Sequence, residues 1–329
     1  MKRSRVRIPS VARNFANSLK LMSVEKKQAI IITGATGSGK SKYAVELAKK
    51  INGIIVNCDS MQIYKQIPIL SAQPNQDEQH EINHLMYGFV DIFNGVKKEK
   101  NVYSVGNYLI DLKQTLQNIS QFDKKKTPII VGGTMLYIES ILNGLNTIPE
   151  IDTKIRENIR DKYKHKNITE LFEDLEKIDK NYANIVDSKN YQRILRGIEV
   201  KLATGKSIIE FWQKQKHNNF FTDNYDFKKI LIQTDREKLY NNINKRFDKM
   251  VELGAIDEAK LIYDRCLNDN IDYTKLPKAI GMHRFFEYFR GVISLDVAID
   301  KSKQESRNYA KRQMTWFRNR FKDFSNIAV

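Results

Sequence analysis

The chain has 329 residues, of which 41% are hydrophobic and 29% are charged. These values are typical of a globular protein of about two domains, and they exclude collagen-like, low-complexity and wholly disordered chains. The longest purely apolar runs reach only four or five residues, far below the about 18 that cross a bilayer, so we expect no membrane span. The two cysteines, Cys58 and Cys266, lie far apart in the chain, which favours a reducing compartment and a cytoplasmic protein.

The charge balance is strongly basic. Lysine and arginine number 56 against 39 acidic residues, which gives a formal net charge of +17. Such an excess favours a polyanionic partner such as nucleic acid, or a phosphorylated ligand, although biased composition alone can also produce it. Residues 1–27 are basic and lack a periodic apolar face, so we predict a tail that is disordered or precedes the true start. A targeting segment or an RNA-contacting arm remains an alternative.

Strands and helices alternate in the first half of the chain. A β-branched run at Ala29–Thr33 leads through a glycine-rich turn into a helix over Ser41–Ile51, and further apolar runs follow at Ile54–Val56 and Pro128–Val131. This order predicts an α/β fold with a parallel sheet covered by helices on both faces. Residues 28–151 are assigned to the first part of this core.

The pattern changes to charged helical segments over residues 152–216, which predicts an all-helical insertion domain. Thr169 is expected to cap one of its helices, and a second apolar stripe runs from Tyr191 to Gly205. A fresh strand at Lys228–Gln233 then returns to the sheet. Residues 217–329 therefore complete the core and end in basic helices.

The turn after the first strand reads GATGSGKS and matches the phosphate-binding loop G-x-x-x-x-G-K-S/T. Because the motif follows a strand and opens a helix, its backbone N–H groups can surround an anion, with Lys40 on the terminal phosphate and Ser41 on Mg²⁺. This predicts a P-loop NTPase-like core. The loop alone does not distinguish a nucleoside triphosphate from an isoprenoid diphosphate. The residues assigned to it are Gly34, Ala35, Thr36, Gly37, Ser38, Gly39, Lys40 and Ser41.

Two other segments carry ionisable groups. Residues His80 to His84 spell H-E-x-x-H, a zinc-site pattern, but their polar surroundings and the absence of a third ligand favour an ordinary polar segment. Asp59 follows the second strand, where the carboxyl ends of parallel strands face a ligand crevice. Its carboxylate could ligate magnesium or accept a proton, and a helix N-cap is the structural alternative.

The C-terminal segment Lys301–Lys322 interleaves basic and aromatic residues. On a helix, Arg307, Lys311, Arg318 and Lys322 share one face, while Tyr309, Trp316, Phe317 and Phe321 supply aromatic surface. This combination favours RNA binding. A solvated basic face with the aromatics packed on the core is the alternative.

Taken together, these stretches resemble the tRNA dimethylallyltransferases, also called tRNA isopentenyltransferases, from about Ala29 to Arg320. The matching stretches are GATGSGKS, DSMQIYK from Asp59, YSVGNY from Tyr103, VGGTMLY from Val131, QRILRGIEV from Gln192, TDREKLYNNINKR from Thr234, KAIG from Lys278 and RNYAKRQMTWFR from Arg307. The resemblance implies transfer of a dimethylallyl group from dimethylallyl diphosphate to the exocyclic amine of the adenosine 3′ of the anticodon, in tRNAs that read codons beginning with U. It implies that the helical insertion grips the anticodon stem-loop. The phosphate-binding loop, with Ser41 on the ion, predicts Mg²⁺ as the cofactor.

The resemblance also implies site residues. Asp59, Lys40 and Arg246 would be catalytic, with Asp59 as base and Arg246 on the diphosphate. The tRNA contacts would come from Asp59, Ser60, Met61, Gln62, Thr134, Arg156, Gln192, Arg193, Ile194, Leu195, Arg196, Lys278 and Gly281. Local departures from the family pattern occur at Ile69–Pro74, at Asn83 and at Met282, and they affect expected tRNA contacts more than the chemistry. Nothing in the sequence demands a dimer, so a monomer is expected.

Two rival functions remain at this stage. The loop alone would also suit a P-loop small-molecule kinase that uses ATP. The basic charge would suit an RNA-binding protein with a vestigial loop, although intact Lys40, Ser41 and Asp59 argue against it.

Overall fold

The computed structural model describes residues 25–94, 103–146, 148–213 and 219–329. Most of the predicted basic tail, residues 1–24, lies outside this part of the chain, whereas Lys27 already belongs to the first strand. The chain divides into two compact units, which we name the core unit, comprising residues up to Leu142 and from Asn219 onward, and the helical unit, Asn143–Asn218. The predicted insertion, residues 152–216, falls within the helical unit.

The core unit contains a six-stranded parallel sheet with strand order β3-β2-β4-β1-β5-β6. The α/β fold predicted from the alternating strands and helices is therefore confirmed. The strands are β1 (Lys27–Gly34), β2 (Gly53–Asn57), β3 (His84–Leu85), β4 (Thr127–Gly132), β5 (Tyr225–Gln233) and β6 (Ser325–Ala328).

Side chains of the central strands alternate between two buried clusters, as the twofold period of a strand requires. Ile30 and Ile32 of β1 pack with Ala44 and Ala48 on one face. Ile31, between them in sequence, packs on the other face together with Tyr108. Because both faces are covered, the strands read as continuous apolar runs.

The helices of the core unit cover this sheet and extend beyond it. The phosphate-binding loop lies between β1 and the first helix, and the longest helix runs over 26 residues near the C-terminus. Helices α5–α9 belong to the helical unit and are given below, and α4 ends at the boundary between the units. The helices of the core unit are α1 (Lys40–Ile51), α2 (Gln76–Glu81), α3 (Val105–Phe122), α4 (Met135–Asn143), α10 (Phe220–Asn224), α11 (Arg236–Glu252), α12 (Ala255–Asn268), α13 (Met282–Phe289) and α14 (Leu295–Arg320).

The helical unit has its own apolar core, which includes Leu171, Leu175 and Ile198. Its helices are α5 (Thr153–Tyr163), α6 (Ile168–Ile178), α7 (Lys180–Ala183), α8 (Tyr191–Thr204) and α9 (Ile208–Gln213). The sequence predicted that Thr169 would cap α6, and this prediction is wrong. Instead, Asn167 accepts a hydrogen bond from the Glu170 backbone, and the Glu170 side chain accepts one from the Asn167 backbone, a reciprocal arrangement that satisfies two backbone donors.

Within the described ranges, no helix combines the length and the apolar character that crossing a bilayer requires.

Candidate active site

The phosphate-binding loop turns sharply between β1 and α1. Gly37 and Gly39 have φ values of +80° and +87°, a region that glycine adopts without the penalty other residues incur. A Cβ added to Gly37 would lie 2.8 Å from the Ile243 side chain of α11, so space as well as φ selects glycine there. Since α1 begins at Lys40, the free N–H groups of its first turn point to the loop and form an anion-binding site.

Two side chains that are distant in the chain donate hydrogen bonds to backbone carbonyls of this loop. The Thr234 hydroxyl donates to the Ser38 carbonyl at 3.0 Å, and the Asn242 amide donates to the Gly37 carbonyl at 3.3 Å. Both residues belong to the TDREKLYNNINKR stretch, but the sequence assigned neither of them to the loop, because Thr234 precedes α11 and Asn242 is an ordinary polar residue within it. The Ser38 hydroxyl is buried and has no hydrogen-bond partner within the described residues, which leaves a donor for a bound anion.

Gln313 of α14 makes a third connection to the loop. Its side-chain oxygen accepts from the Thr36 backbone N–H and its nitrogen donates to the Gly133 carbonyl, both at 2.8 Å. The sequence position of Gln313 could have indicated this role, because Gln313 is a polar residue on the buried stripe that contains Ala310 and Phe317. A buried amide on such a stripe requires specific partners.

Two cations lie at the loop. The Arg246 guanidinium of α11 donates to the Thr36 hydroxyl, and the Lys40 ammonium lies 3.5 Å from the Ala35 carbonyl. Burial lowers the pKa of Lys40 to about 8, Asp59 opposes that shift, and Arg246 adds to it. Burial also lowers the pKa of Arg246, again opposed by Asp59. The site therefore concentrates positive charge that an anion would stabilise.

Asp59 lies just beyond the carboxyl end of β2. Its backbone N–H donates to the Asn57 side chain at 2.9 Å, and its own Oδ1 accepts from the Met61 backbone at 2.9 Å. This is a side-chain turn rather than a helix cap, because no helix begins there. Its second oxygen makes no hydrogen bond within the described chain, so it is available to accept a proton.

The residues around Asp59 contact Thr134, which follows β4, and the segment at Ser71 and Ala72. The Ser60 N–H donates to the Thr134 hydroxyl at 2.8 Å, and the Gln62 amide donates to the carbonyls of Ser71 and Ala72 at 3.1 and 2.6 Å. Tyr309 of α14 is also nearby: burial and then the negative charge of Asp59 raise the pKa of its phenol, while hydrogen bonds to Thr134 and Gln313 oppose the shift. Tyr309 thus belongs to the site itself rather than to a separate aromatic surface.

Lys278 and Gly281 lie in the segment before α13. The Lys278 side chain is exposed. Gly281 has a φ of +93°, and a Cβ there would lie 3.1 Å from the Phe247 ring, so the backbone conformation accounts for this glycine. Contact of either residue with tRNA stays a prediction.

The remaining predicted tRNA contacts belong to the helical unit. Gln192 and Arg193 are exposed at the start of α8. Arg156 of α5 and Arg196 of α8 both lie beside the carboxylate of Glu199, at 3.5 and 3.2 Å. Ile194 and Leu195, by contrast, are buried in the core of the unit. Their side chains therefore do not present an RNA-binding surface, because the apolar stripe of α8 packs inward.

The structure shows how the residues of two sequence patterns, the H-E-x-x-H segment and the basic, aromatic C-terminal segment, are arranged. In H-E-x-x-H, α2 ends at Glu81 and His84 lies in β3, so the two histidines do not share a helix face. This agrees with the interpretation of a polar segment. On α14 and just after it, Phe317 and Phe321 are buried in the core and Trp316 packs against it, whereas Lys311, Arg318 and Lys322 are exposed.

The described residues contain no group of three or more His, Cys, Asp or Glu side chains that could enclose a metal ion. Ser41, the second residue of α1, is exposed. Magnesium needs few protein ligands when phosphate oxygens and water complete its coordination. The residues present therefore fit a phosphate-bound Mg²⁺ rather than a protein-enclosed one.

Comparisons with known proteins agree with this geometry. The family model described as IPP transferase matches residues 62–320. The tRNA dimethylallyltransferase of Pelagibacter ubique is 39% identical over 303 residues, covering 92% of each chain. That of Rickettsia conorii is 38% identical over 92% of this chain and 79% of its own.

Solved structures show the same relationship. The tRNA isopentenylpyrophosphate transferase of Bacillus halodurans is 31% identical, with a TM-score of 0.62 over 92% of this chain and 90% of its own. A eukaryotic dimethylallyltransferase acting on tRNA is 27% identical, with a TM-score of 0.72 over 92% of this chain and 74% of its own. The chain, with its phosphate-binding loop, paired cations and Asp59, therefore belongs to the IPP transferase family.

Proposed function

We propose that this protein is a tRNA dimethylallyltransferase, which transfers a dimethylallyl group from dimethylallyl diphosphate to the exocyclic amine of the adenosine 3′ of the anticodon and releases diphosphate. The observation that carries the proposal is one site that combines the two cations at the phosphate loop, Lys40 beside Ala35 and Arg246 on Thr36, with the carboxylate of Asp59, whose charge acts on both of them. A prenyl transfer to an amine needs this pairing, because one end of the reaction releases an anion and the other releases a proton.

The loop, Lys40 and Arg246 serve the leaving group. As the bond between the allylic carbon and the diphosphate oxygen breaks, negative charge grows on the diphosphate. Backbone N–H groups, Lys40 and Arg246 are positioned before the reaction starts, so they stabilise that charge without reorganisation. The buried setting strengthens each of these interactions relative to water.

Asp59 serves the acceptor. The exocyclic amine of adenine is a weak nucleophile because its lone pair is delocalised into the ring. The free Asp59 oxygen would accept the proton that the amine loses as the new carbon–nitrogen bond forms. The Met61 N–H donates to the carboxylate, and the Asn57 side chain accepts from the Asp59 backbone, so both hold the residue in place. The base must leave the anticodon-loop stack to reach the site, at a cost of a few kcal/mol that RNA contacts would offset.

Magnesium, when bound, would neutralise part of the diphosphate charge. The Ser41 hydroxyl is the protein group that fits this ion, with the remaining coordination supplied by diphosphate oxygens and water.

The small-molecule kinase alternative is not favoured. The family and the solved relatives are named as transferases of isopentenyl or dimethylallyl groups, and none of these names describes a phosphoryl transfer. The proposal also includes three finer features: a preference for tRNAs that read codons beginning with U, a cytoplasmic location and a monomeric enzyme.

The test incubates the full chain with Mg²⁺, labelled dimethylallyl diphosphate and an anticodon stem-loop that carries adenosine 3′ of the anticodon. A second stem-loop carrying guanosine there is the matched control. Label on the adenosine RNA alone is expected, since guanosine has no exocyclic amine at the equivalent ring position. Label on neither RNA, or ATP hydrolysis that is indifferent to RNA, would overturn the proposal.

A further inference from the structure

A single buried carboxylate organises three arginines in the helical unit. Glu199 of α8 is only 1% exposed. Its Oε1 accepts from the Arg160 Nε at 2.6 Å, and its Oε2 lies 3.2 Å from an Nη of Arg196 and 3.5 Å from the Arg156 Nε. Arg156 and Arg160 are four residues apart on α5, so they project from the same helix face toward Glu199.

This cluster is a poor device for stability alone. Three guanidinium groups against Glu199 and a second acid, Glu150, which acts on Arg156, still leave positive charge in excess around the buried carboxylate. Burying an ion pair already costs desolvation that its attraction barely repays, and crowding further like charges adds repulsion. Burial and the neighbouring Arg196 and Arg160 lower the pKa of Arg156, while Glu199 opposes the shift. Such an arrangement becomes favourable when an external anion completes it.

The orientation of Arg160 suits such an anion. Glu199 engages its Nε, and within the described ranges the two terminal nitrogens of Arg160 make no hydrogen bond. The side chain is 54% exposed. A guanidinium held along one edge by a carboxylate presents its other edge in the geometry that binds two phosphate oxygens at once.

We propose that Arg160 is an RNA phosphate contact, and that Glu199 is the positioning residue that orients Arg160, Arg156 and Arg196 toward the phosphodiester backbone of the bound RNA. The inference rests on the proposed function, since it takes the RNA to be the tRNA substrate. It adds Arg160 to the RNA contacts expected from the sequence, and it adds Glu199 as the residue that positions them. One of them binds phosphate directly and the other acts only through the arginines.

The test measures the Kd of the full chain for a fluorescent anticodon stem-loop, with Arg160→Gln and Lys154→Gln compared as a matched pair. Both substitutions remove one positive charge from α5, and Lys154 is exposed on a different face of the helix from Arg160. Arg160→Gln is expected to raise Kd about tenfold, and to reduce the slope of log Kd against log salt by about 0.7 to 0.9 between about 50 and 200 mM salt. Lys154→Gln should change Kd by less than about twofold. Equal effects of the two would overturn the proposal.

Glu199→Gln separates positioning from net charge. The substitution makes the protein more positive, so a purely electrostatic effect would tighten RNA binding. Loss of positioning predicts weaker binding, by about fivefold, with the change in KM for RNA rather than in kcat or in KM for the prenyl donor. Tighter or unchanged binding by a folded Glu199→Gln protein would overturn the positioning role. If that variant does not fold, the Arg160 and Lys154 pair still decides the phosphate contact.

The binding readout does not depend on catalysis. Unmodified RNA that binds wild-type protein with the expected Arg160 dependence, but receives no prenyl group, would refute the proposed function and leave this contact standing. RNA that is prenylated normally, but whose binding does not depend on Arg160, would refute this contact and leave the proposed function standing.

Discussion

The side-chain oxygen of Gln313 accepts a hydrogen bond from the backbone N–H of Thr36 at 2.8 Å, and its nitrogen donates to the Gly133 carbonyl at the same distance. One amide thereby joins α14, the phosphate-binding loop and the end of β4, although Thr36 and Gln313 are 277 residues apart in the chain. Gly133 is close enough that an added Cβ would lie 2.4 Å from the Gln313 nitrogen. The loop is therefore fixed by the C-terminal helix as well as by its own glycines.

Gln313→Glu is expected to weaken binding of the prenyl diphosphate and to lower stability. The carboxylate cannot donate to Gly133, and it brings a negative charge to a site built for an anion. An unsatisfied buried group costs about 1 to 3 kcal/mol. Gln304→Glu adds the same charge to an exposed position of α14 and is the control. Calorimetry of donor binding and thermal unfolding would check this, and wild-type values for Gln313→Glu would contradict it.

Arg246→Gln is expected to reduce kcat by about 100- to 1,000-fold, because in the proposed reaction the guanidinium that bonds Thr36 would stabilise the departing diphosphate. Its neighbour Lys245 is exposed, so Lys245→Gln removes the same charge without touching the loop. Single-turnover rates of prenyl transfer for the two variants provide the comparison. Similar losses in both would show that only bulk charge matters.

Asp59→Asn is expected to lower the rate of transfer by about 100- to 10,000-fold, the range for loss of a general base, while RNA binding is retained. Asparagine keeps the oxygen that accepts from the Met61 backbone, so the turn should persist. Asp91 makes the same kind of turn, accepting from the Phe93 backbone at 2.8 Å, and Asp91→Asn controls for the turn itself. Full turnover by Asp59→Asn would remove its assigned role.

The sequence predicted the local parts of this site better than their connections. The loop over Gly34–Ser41 and the position of Asp59 after β2 follow from short patterns, because strand, turn and helix signals are local. The contacts of Thr234, Asn242 and Gln313 with the loop depend on how distant helices pack, which no local pattern encodes. Family resemblance could assign Arg246 to the diphosphate, but not its hydrogen bond to Thr36.

The same limit explains the residues that sequence patterns placed on a surface. Ile194 and Leu195 share a motif with Arg193 and Arg196, yet the helical period turns the apolar pair into the core. Phe317 and Phe321 are aromatic neighbours of exposed basic residues, and they too pack inward. A motif identifies a segment, whereas burial decides which of its side chains can touch a ligand.

Binding of the prenyl diphosphate is expected to weaken above pH 8. Burial lowers the pKa of Lys40 to about 8, so the free protein loses this charge as pH rises through that value. The Kd, measured by calorimetry without RNA, should be flat below about pH 7.5 and then rise toward tenfold per unit once Lys40 is mostly neutral. A bound diphosphate raises the same pKa, so kcat at saturating donor should hold to higher pH. A Kd that stays flat to about pH 10 would contradict this, since it would mean that Lys40 keeps its ordinary pKa.

Glu258 of α12 holds the segment that supports Gln62. Its two carboxylate oxygens accept from the backbone N–H groups of Ile69 and Leu70, each at 2.8 Å. Burial raises the pKa of Glu258 to about 7, although both hydrogen bonds oppose the shift. Glu258 therefore fixes the backbone just before Ser71 and Ala72, whose carbonyls accept from the Gln62 amide.

The contribution of Glu258 to the free energy of unfolding should therefore fall as the pH rises from about 4.5 to 7. In that window the unfolded chain releases the Glu258 proton while the folded protein retains it, so ionisation favours unfolding. The wild-type free energy of unfolding, minus that of Glu258→Gln, should decrease across the window by up to about 3 kcal/mol, since one pKa unit corresponds to about 1.4 kcal/mol. Chemical denaturation of both proteins at several pH values measures this difference. Glu252→Gln removes a carboxyl group from an exposed position of α11 and serves as the control. A difference for Glu258→Gln that increases with pH would mean that the hydrogen bonds to Ile69 and Leu70 outweigh burial.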